Sequence, residues 1–180
     1  LAFILGQQWS RNRAGAAPPP VATGGPAVQG GGRAPDISQL SPQERADRLF
    51  DRVMTLVSAG KSDSVTFFAP MAIQSFEALA PLSAHQRYDL GLLGVVSGDG
   101  ALAVAQADTI LSEQPNHLLG LILAMRAAGL QGDATARASF ATRLQGALQS
   151  ERAKRLPEYQ DHAPDIEAAI READGRAPTP

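Results

Sequence analysis

From Asp36 onward, apolar residues recur at helical spacing, in stretches that open on capping residues and close near glycine. Ser41-Pro42-Gln43-Glu44 supplies an N-cap Ser, a Pro at the first helical position and a Glu three residues after the cap. The run behind it turns Ala46, Leu49, Phe50, Val53, Met54 and Val57 to one side and stops near Gly60. Ser83-Ala84-His85-Gln86 repeats the capping box ahead of Leu90, Leu93 and Val96, while Asp99 and Asp133 each follow a Gly in position to cap a further helix. An apolar-polar alternation of period two never establishes itself. The pattern predicts helices at about 42–59, 66–79, 84–96, 100–113, 117–129, 134–150 and 164–173, with Pro70 the least helical residue of the second. The expected fold class is all-α, an antiparallel helix-turn-helix array behind an extended N-terminal segment.

The chain before Asp36 carries no such period. Leu1-Ala2-Phe3-Ile4-Leu5 is an apolar run followed by Gly6, Trp9, Arg11 and Arg13, the order of residues at the interfacial end of a membrane helix. Five apolar residues do not span a bilayer, and because the chain starts at Leu1 rather than Met the numbering is expected to begin inside a longer product or after processing. Phe3, Ile4, Leu5 and Trp9 are therefore expected to anchor the chain to a membrane or to a partner. The arginines favour a cytoplasmic flank and an N-in signal anchor the opposite one; the periplasmic side is the expectation taken here. Ala14 to Pro35 is Gly, Pro, Ala and Val, including Pro18-Pro19-Pro20 and Gly30-Gly31-Gly32, which reads as a tether. The expected domains are thus an apolar segment at 1–9, a linker at 10–36 and a helical domain at 37–180 with a C-terminal capping helix.

Composition removes several classes of function. Sixteen basic against 18 acidic residues, a net charge of -2, provide no field to draw in nucleic acid. Without cysteine there is no disulfide, thiolate nucleophile, zinc-thiolate site or iron-sulfur cluster. The 5% aromatic content argues against a β-sandwich.

An internal period sharpens the fold. Gly98-Asp99 and Gly132-Asp133 are 34 residues apart, as are Pro81 and Pro115, and Ala69 and Ala103. With Leu90-Gly91, Ala103 and Pro115 at family spacings, the middle unit resembles a tetratricopeptide repeat, though the family's aromatic positions are not kept. The likeness covers roughly Phe50 to Gln149 as three units, with a closing helix around Ile166, Ala169 and Ile170. It implies stacked helix pairs in which Gly91 and Ala103 permit close packing. The wider arrangement resembles bacterial membrane-anchored tetratricopeptide proteins. By that likeness the groove side should carry Asp51, Met54 and Ser58, then His85, Tyr88 and Leu92, then Leu119, Ile122 and Arg126. Met54, Tyr88, Leu92, Leu119, Ile122 and Arg126 are the expected partner-binding residues, suited to an apolar helix or extended segment.

Chemistry finds little purchase. Gly98-Asp99-Gly100-Ala101-Leu102-Ala103 matches a dinucleotide fingerprint after Leu92-Leu93-Gly94-Val95-Val96, but the repeat makes the glycines a helical corner instead. Gly60-Lys61-Ser62 resembles the end of a phosphate loop, yet Thr55 stands where its first Gly belongs. His85, His117 and His162 are read as capping or surface residues without a metal-ligand arrangement, Asp161 and Asp165 as first-turn acids, and Glu151 to Arg155 as a solvated helix end. No catalytic residue, metal or cofactor is expected. The expected function is a non-enzymatic interaction subunit of a larger bacterial membrane complex, photosynthetic or respiratory, binding protein subunits but neither nucleic acid nor a small-molecule substrate. The alternatives are an assembly factor for an energy-transducing membrane complex and a dinucleotide-binding protein using Gly98-Asp99-Gly100.

Overall fold

The computed structural model describes residues 40–175; the apolar segment with Phe3, Ile4, Leu5 and Trp9, and the Gly/Pro tether, lie outside the described residues. Within them the chain is all-helical, with no strand, and runs α1 (Pro42–Ser58), α2 (Ser62–Glu77), α3 (Ala84–Ser97), α4 (Gly100–Glu113), α5 (Leu118–Leu130), α6 (Ala134–Ala153), α7 (Pro157–Asp161) and α8 (Ala163–Ala173). α1 packs on α2, α3 on α4 and α5 on α6, each pair stacks on the next, and α8 closes on α5 and α6.

The capping residues read from the sequence do their expected work. Ser41 and Ser83 each accept from the backbone N–H three residues on, and Glu44 and Gln86 reach back to complete both capping boxes. Asp99 accepts from the Leu102 N–H at 3.0 Å and Asp133 from the Ala136 N–H at 2.8 Å. The two corners match bond for bond at the 34-residue offset. Asp99 and Asp133 donate to Gly94 and Ala128 at 2.8 and 2.9 Å, and Gly98 and Gly132 sit at φ 83° and 76°, the left-handed conformation that favours glycine.

The first unit departs from that register. Its corner is Gly60-Lys61, where the Lys61 N–H donates to Leu56 and the Gly60 N–H to Val57, bonds equivalent to those at Asp99 and Gly98. Gly60 precedes Gly98 by 38 residues rather than 34, one helical turn more. The helix predicted from residue 66 accordingly starts at Ser62, and the spacing of Ala69 and Ala103 is not the structural register. Lys61 has no acceptor to offer, so this corner lacks a side-chain cap. Pro70 lies inside α2 with its ring exposed, where the Thr66 carbonyl that loses its donor is within reach of water. The structure carries α6 to Ala153, into the segment read as a helix end, and adds the short α7, which was not predicted.

α5 is the centre of the domain. Leu118 through Ala128 are all buried, and the helix is apolar on every side because α3, α4, α6 and α8 surround it. Gly91 permits the closest of these approaches: a Cβ there would stand 2.2 Å from a Leu123 methyl. Phe50 and Phe76 meet edge-on at 6.2 Å between α1 and α2, and Ile166 and Ala169 bring α8 into the same core.

Candidate functional site

The six residues expected to bind a partner do not line an open groove. Met54, Tyr88, Leu92, Leu119, Ile122 and Arg126 are all buried, Arg126 at 5% exposure and the others at 2% or less. Four are apolar core in the usual sense. Tyr88 and Arg126 are buried by the chain's own C-terminal helix.

Arg126 is the single charged residue of α5, and α8 brings two acids to it. Its guanidinium donates to both Asp165 oxygens at 3.0 and 2.7 Å, and to Glu172 at 3.4 and 3.2 Å. The Tyr88 hydroxyl donates to Asp165 and accepts from Arg126. Burial opposes the Asp165 charge, yet the Arg126 guanidinium, with hydrogen bonds from Arg126 and Tyr88, holds its carboxyl below the usual carboxylate range. Burial and the neighbouring Asp165 push the Tyr88 hydroxyl well up. Asp165 is thus the first-turn acid of α8 that the sequence predicts, and in addition half of a buried fork-to-fork pair joining α5 to α8.

A second closure lies at the other end of α5. The Tyr159 hydroxyl of α7 accepts from the Leu118 N–H at 3.1 Å and donates to Glu151 at 2.9 Å, and Lys154 donates to the other Glu151 oxygen at 2.7 Å. Glu151, expected to be solvated, is 3% exposed. His117 occupies the N-cap position of α5 but does not cap it; its ring is buried and meets Glu158 at 3.3 Å and the Tyr159 ring at 5.0 Å. Burial lowers the His117 pKa, an effect that the Glu158 hydrogen bond partly offsets.

Between the closures, His85 and Asp89 of α3 face His162, the residue that joins α7 to α8. Asp89 lies 3.4 Å from the His85 Nε2 and 3.5 Å from the His162 Nε2, and the two imidazoles meet edge to face at 4.7 Å. Reading these histidines as surface or capping residues overlooks that His85 and Asp89 stand four apart on one helix, hence on one face. That pair was legible in the sequence; the arrival of His162 was not.

The surface along α2 is open instead. The exposed large hydrophobic side chains among the described residues are Phe67 at 66%, Met71 at 38% and Leu130 at 41%. Phe67 and Met71 are one turn apart on α2, and Met71 borders a cavity of about 580 Å³ with Pro70, Ile73, Glu77 and Asp99. Leu130 flanks the same corner, where a Cβ on Gly100 would lie 3.6 Å from its methyl. Sequence reasoning missed this surface because Phe67 and Phe68 read equally well as core; Phe68 alone is turned inward, with Arg52 over its ring at 5.4 Å.

The glycine fingerprint lacks the strand it requires. Leu92 to Val96 belong to α3, so the strand that would deliver phosphate to the fingerprint glycines is a helix, and Asp99 is committed to capping α4. No helix among the described residues is long and apolar enough to cross a membrane. Comparison of the chain with family models, curated proteins and solved structures returned no match.

Proposed function

We propose that the chain is a non-catalytic interaction module of the tetratricopeptide-like kind, a subunit docked on a larger membrane complex, and that it engages its partner through the α2 face rather than the groove between the first helices of its units. The observation that carries this reading is the exposure of Phe67 and Met71 in register on α2, beside a cavity whose rim bears the Glu77 and Asp99 carboxylates and no basic residue. Exposed large apolar side chains grouped in this way favour a binding surface over ordinary solvent contact. Its chemistry suits an amphipathic helix with an apolar anchor for the cavity and Lys or Arg for the rim. The N-terminal segment with Phe3, Ile4, Leu5 and Trp9 supplies the membrane attachment in this scheme, and the tether sets its reach.

Solubilised membranes from the native host provide the test, with affinity isolation of the intact chain and of a Phe67→Ser/Met71→Ser variant. The intact chain is expected to recover one membrane complex in fixed stoichiometry, and the variant to lose most of it while keeping its helical circular dichroism. A photo-crosslinker at position 67 should mark one subunit of that complex. Full recovery by the variant, or recovery confined to assembly intermediates, would overturn the proposal, the second outcome in favour of an assembly factor.

A further inference from the structure

We propose that His85, Asp89 and His162 form a three-ligand site for a divalent first-row transition ion, zinc fitting best, which ties α8 to α3. The donor atoms of the three side chains lie within 4.8 Å of one another. In a tetrahedral zinc site with bonds of roughly 2.0–2.1 Å, ligand atoms are separated by about 3.3 Å. Asp89 presents one carboxylate oxygen to each imidazole, Oδ2 to the His85 Nε2 at 3.4 Å and Oδ1 to the His162 Nε2 at 3.5 Å, so the carboxylate stands between the two rings at separations of that size. His85, whose side chain is 27% exposed where those of Asp89 and His162 are 1% exposed, is the ligand with room to turn toward the other two.

The surroundings fit the same assignment. The Nδ1 of His85 faces Asp161 at 3.7 Å while its Nε2 faces Asp89, the carboxylate-histidine-metal order that fixes a ligand ring and raises its basicity. A divalent ion would balance the charges of Asp89 and Asp161 when both imidazoles are neutral ligands. Two nitrogen donors out of three select zinc, cobalt or nickel over magnesium or calcium, which take oxygen. His85 also lines a surface cavity of about 470 Å³ with Gln43, Asp47, Ser83 and Gln86, which gives the ion an entry path and leaves a position for water. The site bridges α3 and the α7–α8 junction, so its occupancy would control how firmly the C-terminal helix covers Tyr88 and Arg126.

Titration calorimetry of zinc chloride into the untagged, chelator-treated full chain tests the proposal, with the visible spectrum of added cobalt(II) as a second readout. One equivalent of zinc should bind and raise the thermal midpoint, cobalt should give tetrahedral absorption bands, and magnesium and calcium should do neither. Asp161→Asn is expected to weaken zinc binding roughly 10- to 100-fold, as loss of an outer-sphere partner does, and His85→Gln to weaken it more. His117→Gln, which alters the remaining histidine, should bind as the unaltered chain does. Should His162→Gln or Asp89→Asn fail to fold, the partly exposed His85 position decides. Absence of a one-to-one zinc complex, or unchanged affinity in His85→Gln, would overturn the assignment and leave the three groups as an ion-pair clasp.

Discussion

The two sides of this domain treat charge and apolar surface in opposite ways. Where α7 and α8 cover α3 and α5, charged and titratable groups are buried and apolar surface is sealed: Asp89, His117, Arg126, Glu151, His162 and Asp165 are each at most 5% exposed. Along α2 the arrangement is reversed, with Phe67 and Met71 in solvent and the carboxylates at the rim. Burying a charge is costly unless it is paired, so the first side is held together by specific bonds, while the second carries surface that contributes little to folding. At Tyr88 and Arg126 the expected groove is thus already covered, by a helix of the same chain.

The most severe way to break this contrast is to remove the charge at its centre. Arg126→Met leaves Asp165 buried without its guanidinium and should destabilise the domain by about 3–5 kcal/mol, read as a lower urea midpoint with an unchanged slope. Phe67→Ser on the open side should change stability by no more than about 0.5 kcal/mol. Comparable losses at the two positions would mean that the sides do not differ as described.

How much of this was legible follows from the range of each interaction. Caps act over three residues, so Ser41, Ser83, Asp99 and Asp133 announced their helices, and the 34-residue echo announced the second and third corners. The first corner is where the sequence ends its helix, near Gly60, but the start of α2 lies four residues before the predicted one, and the 34-residue spacing of Ala69 and Ala103 hides the extra turn between Gly60 and Gly98. The Arg126–Asp165 and Tyr88–Asp165 bonds span 39 and 77 residues, and no local pattern marks such partners. Arg126 did leave one trace: a lone charge in an otherwise apolar helix calls for a buried counter-ion, and was assigned instead to a partner. α7 is only five residues long, too short for periodicity to register.

The corners sharpen the repeat half of the comparison at a smaller scale. Asp99→Ala and Asp133→Ala should each cost about 1 kcal/mol through loss of an N-cap, by similar amounts because the two sites share the same bonds. Lys61→Ala should be near neutral, and Lys61→Asp should stabilise by a few tenths of a kcal/mol or more by giving the first corner the acceptor it lacks. Equilibrium unfolding of the four variants is sufficient. A loss on Lys61→Asp would mean that Gly60-Lys61 is not the counterpart of the later corners.

The smallest expected effect is one of pH, and it belongs to the closed side alone. His117 is enclosed by Glu158 and Tyr159 of α7, Glu151 near the end of α6 and Lys154 just beyond it. Burial lowers its pKa from 6.5, against the pull of Glu158, so the folded state binds a proton less readily than the unfolded chain. As pH falls below 6.5 toward the folded value, the unfolded state gains protons first and stability declines; below the folded value this contribution is exhausted. Urea midpoints measured in chelator from pH 7.5 to 5 should fall more steeply for the intact chain than for His117→Gln, which presents a neutral amide to Glu158 at every pH. Equal slopes in the two chains would show that the His117 ring accepts its proton as readily in the folded state as in the unfolded one, with Glu158 balancing burial, and the seal over the start of α5 would then be ionic rather than dry.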